Sequence, residues 1–266
     1  MIRKCLARIW VIICLISTCA HANVTESNDI RDLLKFADEE TLVVCDVDDT
    51  LMEVISDFGS DKWVTHEIEK LMKQHGWTRW QAYHEFTPQI HKALMASKIR
   101  PVEPTTAETL YRLQKRGIKI LGLTARYTEL AYPTLDQLYS IDIDFAANTV
   151  YHTDIEVPGE FAAKFIEGVV FIGFKNNKGK TLLRFLDTIG YQPKKVVFID
   201  DKSKHVQSVE SAMEERKIPC ISILYSHTYE KLKNFNPSIA EKQGEFFNKV
   251  IPDNEARKLL NSSLSP

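Results

Sequence analysis

The chain has 266 residues, 44% of them hydrophobic and 26% charged, with a formal net charge of −2. No basic block occurs, which speaks against nucleic acid as a partner. Five cysteines without zinc-site spacing rule out a zinc module, and they are too sparse for a disulfide scaffold.

The first 22 residues read as a secretory signal peptide. Arg3, Lys4 and Arg8 make a positive start, Ile9 to Ile16 form a short apolar stretch, and Ala20-His21-Ala22 is a small-x-small cleavage site. A lipoprotein signal ending at Cys19 ranks second, because Thr18 is an unusual residue before such a cysteine, and an uncleaved anchor ranks third. Cleavage removes three basic and no acidic residues, so net charge goes from −2 to −5. No later segment is long and apolar enough to span a bilayer. The mature chain is therefore expected to be exported, periplasmic or secreted, with one domain and an insertion. Cys5, Cys14 and Cys19 leave with the signal. Cys45 and Cys220 are expected to be buried free thiols at opposite ends of a sheet.

Five apolar, β-branched runs predict strands: Leu42–Cys45, Ile118–Leu123, Val169–Phe174, Val196–Ile199 and Cys220–Leu224. Helical patterns fall between them. Thr105-Thr106-Ala107-Glu108 reads as a capping box for a helix running to Gly117. Lys180 to Leu186 begins another helix, with Gly190 near its stop, and Ser203 to Arg216 a third, with Val206, Val209 and Met213 on one face. Strand and helix in alternation predict an α/β fold with a mostly parallel, Rossmann-like sheet. Residues 53–102 interrupt that alternation with a helical pattern rich in aromatics, and read as an inserted cap. The core would then comprise residues 23–52 and 103–266. Trp63 and Trp80 are expected in the cap's own small core. Tyr127 to Gly168 reads as an elaborated crossover with a short helix and added strand. The polar tail from Pro237 carries no predicted chemistry.

The chemistry starts at the end of the first run, in Asp46-Val47-Asp48-Asp49-Thr50-Leu51. Three carboxylates within four residues repel one another unless a cation neutralises them. Two acids flanking one residue at a strand's carboxyl end suit a nucleophile and a general acid/base. The plain alternative is an Asp-rich turn. Three further features fall at strand or helix ends: Thr124 after Ile120-Leu121-Gly122-Leu123, Lys178-Gly179 at a helix start, and Asp200-Asp201 after Val196-Val197-Phe198-Ile199. Each alone is an ordinary structural residue. In a parallel sheet, however, ligands bind at the carboxyl ends of the strands.

Together and in this order, the four motifs resemble the haloacid dehalogenase superfamily of aspartate-nucleophile phosphotransferases, over residues 40 to 225. Gly168-Val169-Val170-Phe171 followed by Asn177-Lys178-Gly179 resembles an uncharacterised bacterial branch of it. The resemblance implies a phosphatase, because Asp rather than Thr stands two residues after the nucleophile. It implies Asp46 as nucleophile, Asp48 as acid/base, Thr124 as a phosphoryl donor and Lys178 as the neutralising cation, with Lys180 as a rival. A carboxylate and a phosphate dianion need a divalent cation between them, and magnesium suits hard oxygen ligands. Asp46, the Asp48 carbonyl and Asp201 are the expected ligands. Asp200 is expected in an outer role or paired with Lys178, since adjacent strand residues point apart. Arg126 either touches substrate or faces solvent. Asp49 reads as a turn residue, the cap histidines His66, His75, His84 and His91 as surface, and His205 as a helix residue. The expected substrate is a phosphomonoester, either a small molecule or a phosphoprotein. A phosphotransferase or phosphomutase shares every motif, and a catalytically silent secreted binding protein is the other alternative.

Overall fold

A computed structural model of the protein describes residues 24–246 and 251–263. The segment read as a signal peptide, with its three cysteines, lies outside the described residues. The strands are β1 (Val24–Ser27), β2 (Thr41–Cys45), β3 (Met52–Val54), β4 (Ile99–Pro101), β5 (Lys119–Thr124), β6 (Ile155–Glu156), β7 (Lys164–Ile166), β8 (Val169–Phe171), β9 (Lys195–Asp200) and β10 (Cys220–Tyr225). The helices are α1 (Asp32–Phe36), α2 (Asp61–His75), α3 (Arg79–Ala96), α4 (Thr106–Lys115), α5 (Ala131–Tyr139), α6 (Lys178–Thr188), α7 (Ser203–Glu215), α8 (Tyr229–Lys233), α9 (Pro237–Glu245) and α10 (Asp253–Ser263). None of these helices is long and apolar enough to cross a membrane.

The main sheet runs β1-β10-β9-β2-β5-β8-β7-β6. Pairings from β1 through β8 are parallel, and β7 and β6 add antiparallel strands at one edge. This is the predicted mostly parallel α/β architecture. Every residue of β2 is buried, as a central parallel strand covered by helices on both faces requires. Alternation splits its side chains: Leu42 and Val44 join Leu121, Leu123, Val196 and Phe198 in one core, while Val43 and Cys45 join Ile120, Val197 and Ile199 in the other. The chain leaves β2 towards β5 and β8, then returns to β9 on the other side. The strand order thus reverses beside β2, which opens a crevice at its carboxyl end.

The insertion stands on an antiparallel pair, β3 with β4, in register from Met52↔Pro101 to Val54↔Ile99. Its helices α2 and α3 bury Trp63, Val64, Ile68, Ala82, Ile90 and Ala93. The capping box lies here: Thr78 Oγ1 accepts from Gln81 N at 3.3 Å, and Gln81 Oε1 accepts from Thr78 N at 2.9 Å. None forms at Thr105. That residue is already in the helical region of backbone space, so its hydroxyl does not turn back on the helix, and Thr106 Oγ1 instead accepts from Glu103 N at 3.2 Å.

Other expectations also shift. Trp80 is not core: at the first turn of α3, off the stripe of Ala82, Ile90 and Ala93, it is 48% exposed, stacks on His84 and lies under Lys175 Nζ. Cys45 is buried, but Cys220, at the start of β10, is only half-buried; both are free thiols. The edge strand β1 has no strong apolar pattern, so the sequence does not announce it. The tail does more than its composition suggests. Ala240 joins the insertion's apolar cluster. Gln243 Oε1 accepts from Phe58 N at 2.9 Å and Asp57 Oδ2 from Asn236 N at 3.2 Å, so α9 is fastened to the insertion.

Candidate active site

Asp46 is the first residue beyond β2, and its N–H still donates to Ile199 O of β9 at 3.0 Å. The chain then turns sharply. Asp49 sits in the left-handed region (φ 59°), and its N–H donates to Met52 O at 2.8 Å. Asp and Asn tolerate that conformation better than most residues with a side chain. The turn leaves Asp46 buried (5% exposed) and Asp48 at the rim.

Lys178 is delivered by a close helix packing. A Cβ on Gly179 would lie 1.9 Å from Ser208 O, so only glycine lets α6 approach α7 here. The Lys178 side chain is thereby driven inward, 1% exposed, and its Nζ donates to Asp46 Oδ1 and, at 2.6 Å, to Asp200 Oδ2. Lys180, the rival, is exposed. Asp200 Oδ1 accepts from Lys202 N at 2.8 Å and faces His205 Nδ1 at 3.3 Å. Asp200 is therefore fully engaged, and it pairs with Lys178.

Asp201 differs. It is buried, and its Oδ1 has no hydrogen-bond partner. One carboxylate oxygen from each of Asp46, Asp200 and Asp201 lies within 4.8 Å of the others. Burial raises the Asp46 carboxyl, helped by the Asp200 charge, against the pull of Lys178. Burial also raises Asp201 well above the usual carboxylate range, with Lys202 opposing and Asp46 and Asp200 reinforcing. Burial works against the Asp200 charge too, but Lys178 and His205 outweigh it and hold the group at about 2. Burial likewise opposes the Lys178 charge, and Asp200 and Asp46 overcome it, so the ammonium is held above its usual range. Lys178 thus grips two of the three clustered carboxylates, Asp46 and Asp200, and one buried oxygen of the third, Asp201 Oδ1, is orphaned. A hard, oxygen-loving cation fits that donor set.

Arg126 is neither surface nor open to a ligand on all sides. It is 6% exposed and grips Asp48, with Nη2 at 2.7 Å from Oδ1 and Nε at 2.9 Å from Oδ2. Its Nη1 donates to Thr134 Oγ1 at 3.0 Å and Gln137 Oε1 at 2.6 Å. Thr124, at the end of β5, is buried, and its Oγ1 accepts from Arg126 N at 3.1 Å. That bond leaves the hydroxyl proton to point elsewhere.

A cavity of about 130 Å3 opens over this floor, between the core and the insertion, and Asp46, Asp48 and Arg126 form part of its wall. Thr124, Lys178, Asp200 and Asp201 are not among its wall residues. Among the wall residues not singled out from the sequence as site residues, four matter for the chemistry. Lys202 Nζ, directly after the acidic pair, donates to Asp61 Oδ1 of α2 at 2.8 Å and so ties core to insertion. His205 touches Asp200, one helical turn beyond it. His91, read as surface, lines the cavity, and its buried Nε2 has no partner. Asp49, besides making the turn, is pushed up to about 7 by burial and then by the charges of Asp61 and Asp48. Lys202 carried one signal, adjacency to the acids; His91 carried none.

The family described as "Protein of unknown function (DUF2608)" matches residues 23–257, and the chain belongs to it. The chain is similar to a Chlamydia trachomatis protein named "Putative outer membrane protein", at 25% identity over 88% of this chain and 87% of that protein. It is also similar to an uncharacterized protein of Rickettsia prowazekii, at 26% identity with 89% of each chain covered. Among solved structures it is similar to a haloacid dehalogenase-like family hydrolase from Streptococcus pneumoniae, with TM-score 0.42 and 13% identity, covering 75% of this chain and 92% of that one. A class C acid phosphatase from Bacillus anthracis aligns with TM-score 0.34 and 15% identity, covering 88% and 83%.

Proposed function

We propose that this member of the DUF2608 family is an exported, magnesium-dependent phosphomonoester phosphatase of the haloacid dehalogenase superfamily, with Asp46 as nucleophile. One observation carries the reading: the orphaned Asp201 Oδ1 lies in a buried three-carboxylate cluster with Asp46, whose carboxylate Lys178 also grips, at the carboxyl ends of adjacent parallel strands. Export fits the name of the chlamydial relative and the signal-like segment.

Asp46, the Asp48 carbonyl and Asp201 would hold the magnesium ion, which when bound supplies the positive charge that lets a carboxylate meet a phosphate dianion. Lys178 fixes Asp46 Oδ1, so Oδ2 is the attacking oxygen. It bonds to phosphorus as the ester P–O bond breaks. Asp48 gives its proton to the departing oxygen, which leaves as an alcohol. A water then attacks the phosphorus of the aspartyl-phosphate. Asp48 takes that water's proton, and the Asp46 carboxylate and inorganic phosphate are released. The Thr124 hydroxyl donates to a phosphoryl oxygen in both steps. Arg126 is a positioning residue, setting where the Asp48 carboxylate sits.

Turnover of para-nitrophenyl phosphate by the full chain tests this. The expected result is release of nitrophenol with magnesium and none with chelator or in Asp46→Asn. Equal turnover in Asp46→Asn would overturn the reading.

A further inference from the structure

We propose that the leaving alcohol is small, uncharged and largely apolar, and that the insertion reads it through one hydrogen bond from His91; this rests on the phosphatase reading above. The cavity has two kinds of lining. Asp46 and Asp48 are among its acids. Val64, Ile90 and Leu94 from the insertion and Tyr127, Leu130 and Phe174 from the core give it an apolar and aromatic part. Tyr83 of α3 stacks on Phe174 at 4.3 Å, and Tyr127 meets Phe174 edge-on at 5.7 Å, so the two halves close over an aromatic wall.

Charge narrows the class further. Each of the three paired bases on the wall is held by a carboxylate: Arg126 by Asp48 at 2.7 Å, Lys202 by Asp61 at 2.8 Å and His205 by Asp200 at 3.3 Å. The phosphoryl group itself would be met by Lys178 and by the cation that Asp46, the Asp48 carbonyl and Asp201 would hold. A second anionic group on the substrate would be desolvated against Asp49 and Asp61 with no uncommitted cation among the described wall residues. Burying an unpaired charge is strongly unfavourable. Phosphosugar acids, bisphosphates and nucleoside diphosphates are disfavoured on this ground.

Hydrogen bonding narrows it again. A polyol would bury several hydroxyls against the apolar part of the wall, and each needs a partner. The wall offers one conspicuous vacancy, the Nε2 of His91, which is buried and unbonded in the described residues. The His91 ring packs edge-on against Tyr127 at 5.1 Å, which fixes its plane. Burial lowers its pKa, which favours the neutral imidazole. Size points the same way: the cavity, at about 130 Å3, is slightly smaller than the roughly 150 Å3 that takes one benzene, so it has no room for a nucleoside.

The test compares kcat/KM of the full chain, with magnesium, for phenyl phosphate, para-(hydroxymethyl)phenyl phosphate and para-carboxyphenyl phosphate. Their leaving groups are similar, and the last two are close in size and differ in charge. The carboxylate should be roughly 10- to 100-fold worse than its hydroxymethyl counterpart, and glucose 6-phosphate should also be poor. In His91→Leu the advantage of the hydroxymethyl compound over phenyl phosphate should collapse, and His91→Gln should restore part of it. Equal turnover of the carboxylate and hydroxymethyl compounds, or an unchanged hydroxymethyl-to-phenyl ratio in His91→Leu, would overturn the inference and leave the phosphatase reading standing. Failure to turn over any of these esters or para-nitrophenyl phosphate would overturn both.

Discussion

Arg126 lies along both carboxylate oxygens of Asp48, although 78 positions separate them in sequence. The contact does not end there. Gln137 Oε1 accepts from Arg126 Nη1 at 2.6 Å, and Gln137 Nε2 donates to Leu94 O in the last turn of α3 at 2.9 Å. The candidate acid/base is thus joined by two side chains to the end of an insertion helix. A lysine keeps the charge but loses the planar fork. Arg126→Lys should therefore lower kcat by roughly 10- to 100-fold, the scale for residues that orient reacting groups. The loss should be larger for alkyl than for nitrophenyl leaving groups, because only the former need the proton from Asp48. Gln137→Leu should follow the same trend more weakly. A loss independent of the leaving group's pKa would contradict this role.

Asp200 and Asp201 should separate in a magnesium titration followed by thermal shift. A ligand that binds only the folded state raises stability according to its free concentration. Asp201→Asn should weaken the magnesium-induced rise while leaving the metal-free protein at least as stable, since it removes a buried carboxylate oxygen with no partner. Asp200→Asn should chiefly destabilise the metal-free fold, because Lys178, His205 and the Lys202 N–H all depend on it. The reverse order would reassign the ligand.

Asp49 predicts a pH effect with a definite sign. Its folded pKa, about 7, lies above its unfolded value of 3.8. The charged form is therefore a penalty in the folded state, fully present above pH 7 and relieved as pH falls towards 4. By linkage it amounts to about 4 kcal/mol at most. Asn accepts the same left-handed backbone. In chelator, Asp49→Asn should raise Tm at pH 8 and change it little at pH 4. A uniform shift across that range would contradict the account.

Gly179→Ala places a Cβ where Ser208 O already lies, so α6 must move and carry Lys178 with it. Overpacking of this kind costs about 1–3 kcal/mol. Lys180→Ala, one position on and exposed, should be near neutral in both stability and turnover. Equal behaviour of the two variants would show that the helix contact does not seat Lys178.

What was legible in the sequence is what strand ends carry. The run Leu42–Cys45 announced a buried strand, and the acids after it had to leave the core together. The same logic placed Thr124 and the Asp200-Asp201 pair, and the Lys-Gly step marked a helix start. The Arg126–Asp48 pair was not legible, because it depends on β5 lying beside β2 and on a side-chain direction that no local pattern fixes. His91 was hidden for a related reason. Its helix has a weak apolar stripe, and only the docking of the insertion over the core turns that residue inward. Trp80 departs in the opposite direction: an aromatic in a small insert is expected in its core, yet this one sits at an open first turn.

Locating the phosphoryl group on the protein tests the central claim most directly. Asp48→Asn should slow hydrolysis of the intermediate more than its formation from a good leaving group. The variant would be mixed with para-nitrophenyl phosphate and magnesium, quenched in acid, digested and mapped by mass spectrometry. The account predicts one phosphoryl group, on the peptide containing Asp46 and absent in Asp46→Asn. A phosphoryl group on another residue, or none in any variant while the wild-type chain turns over, would contradict it.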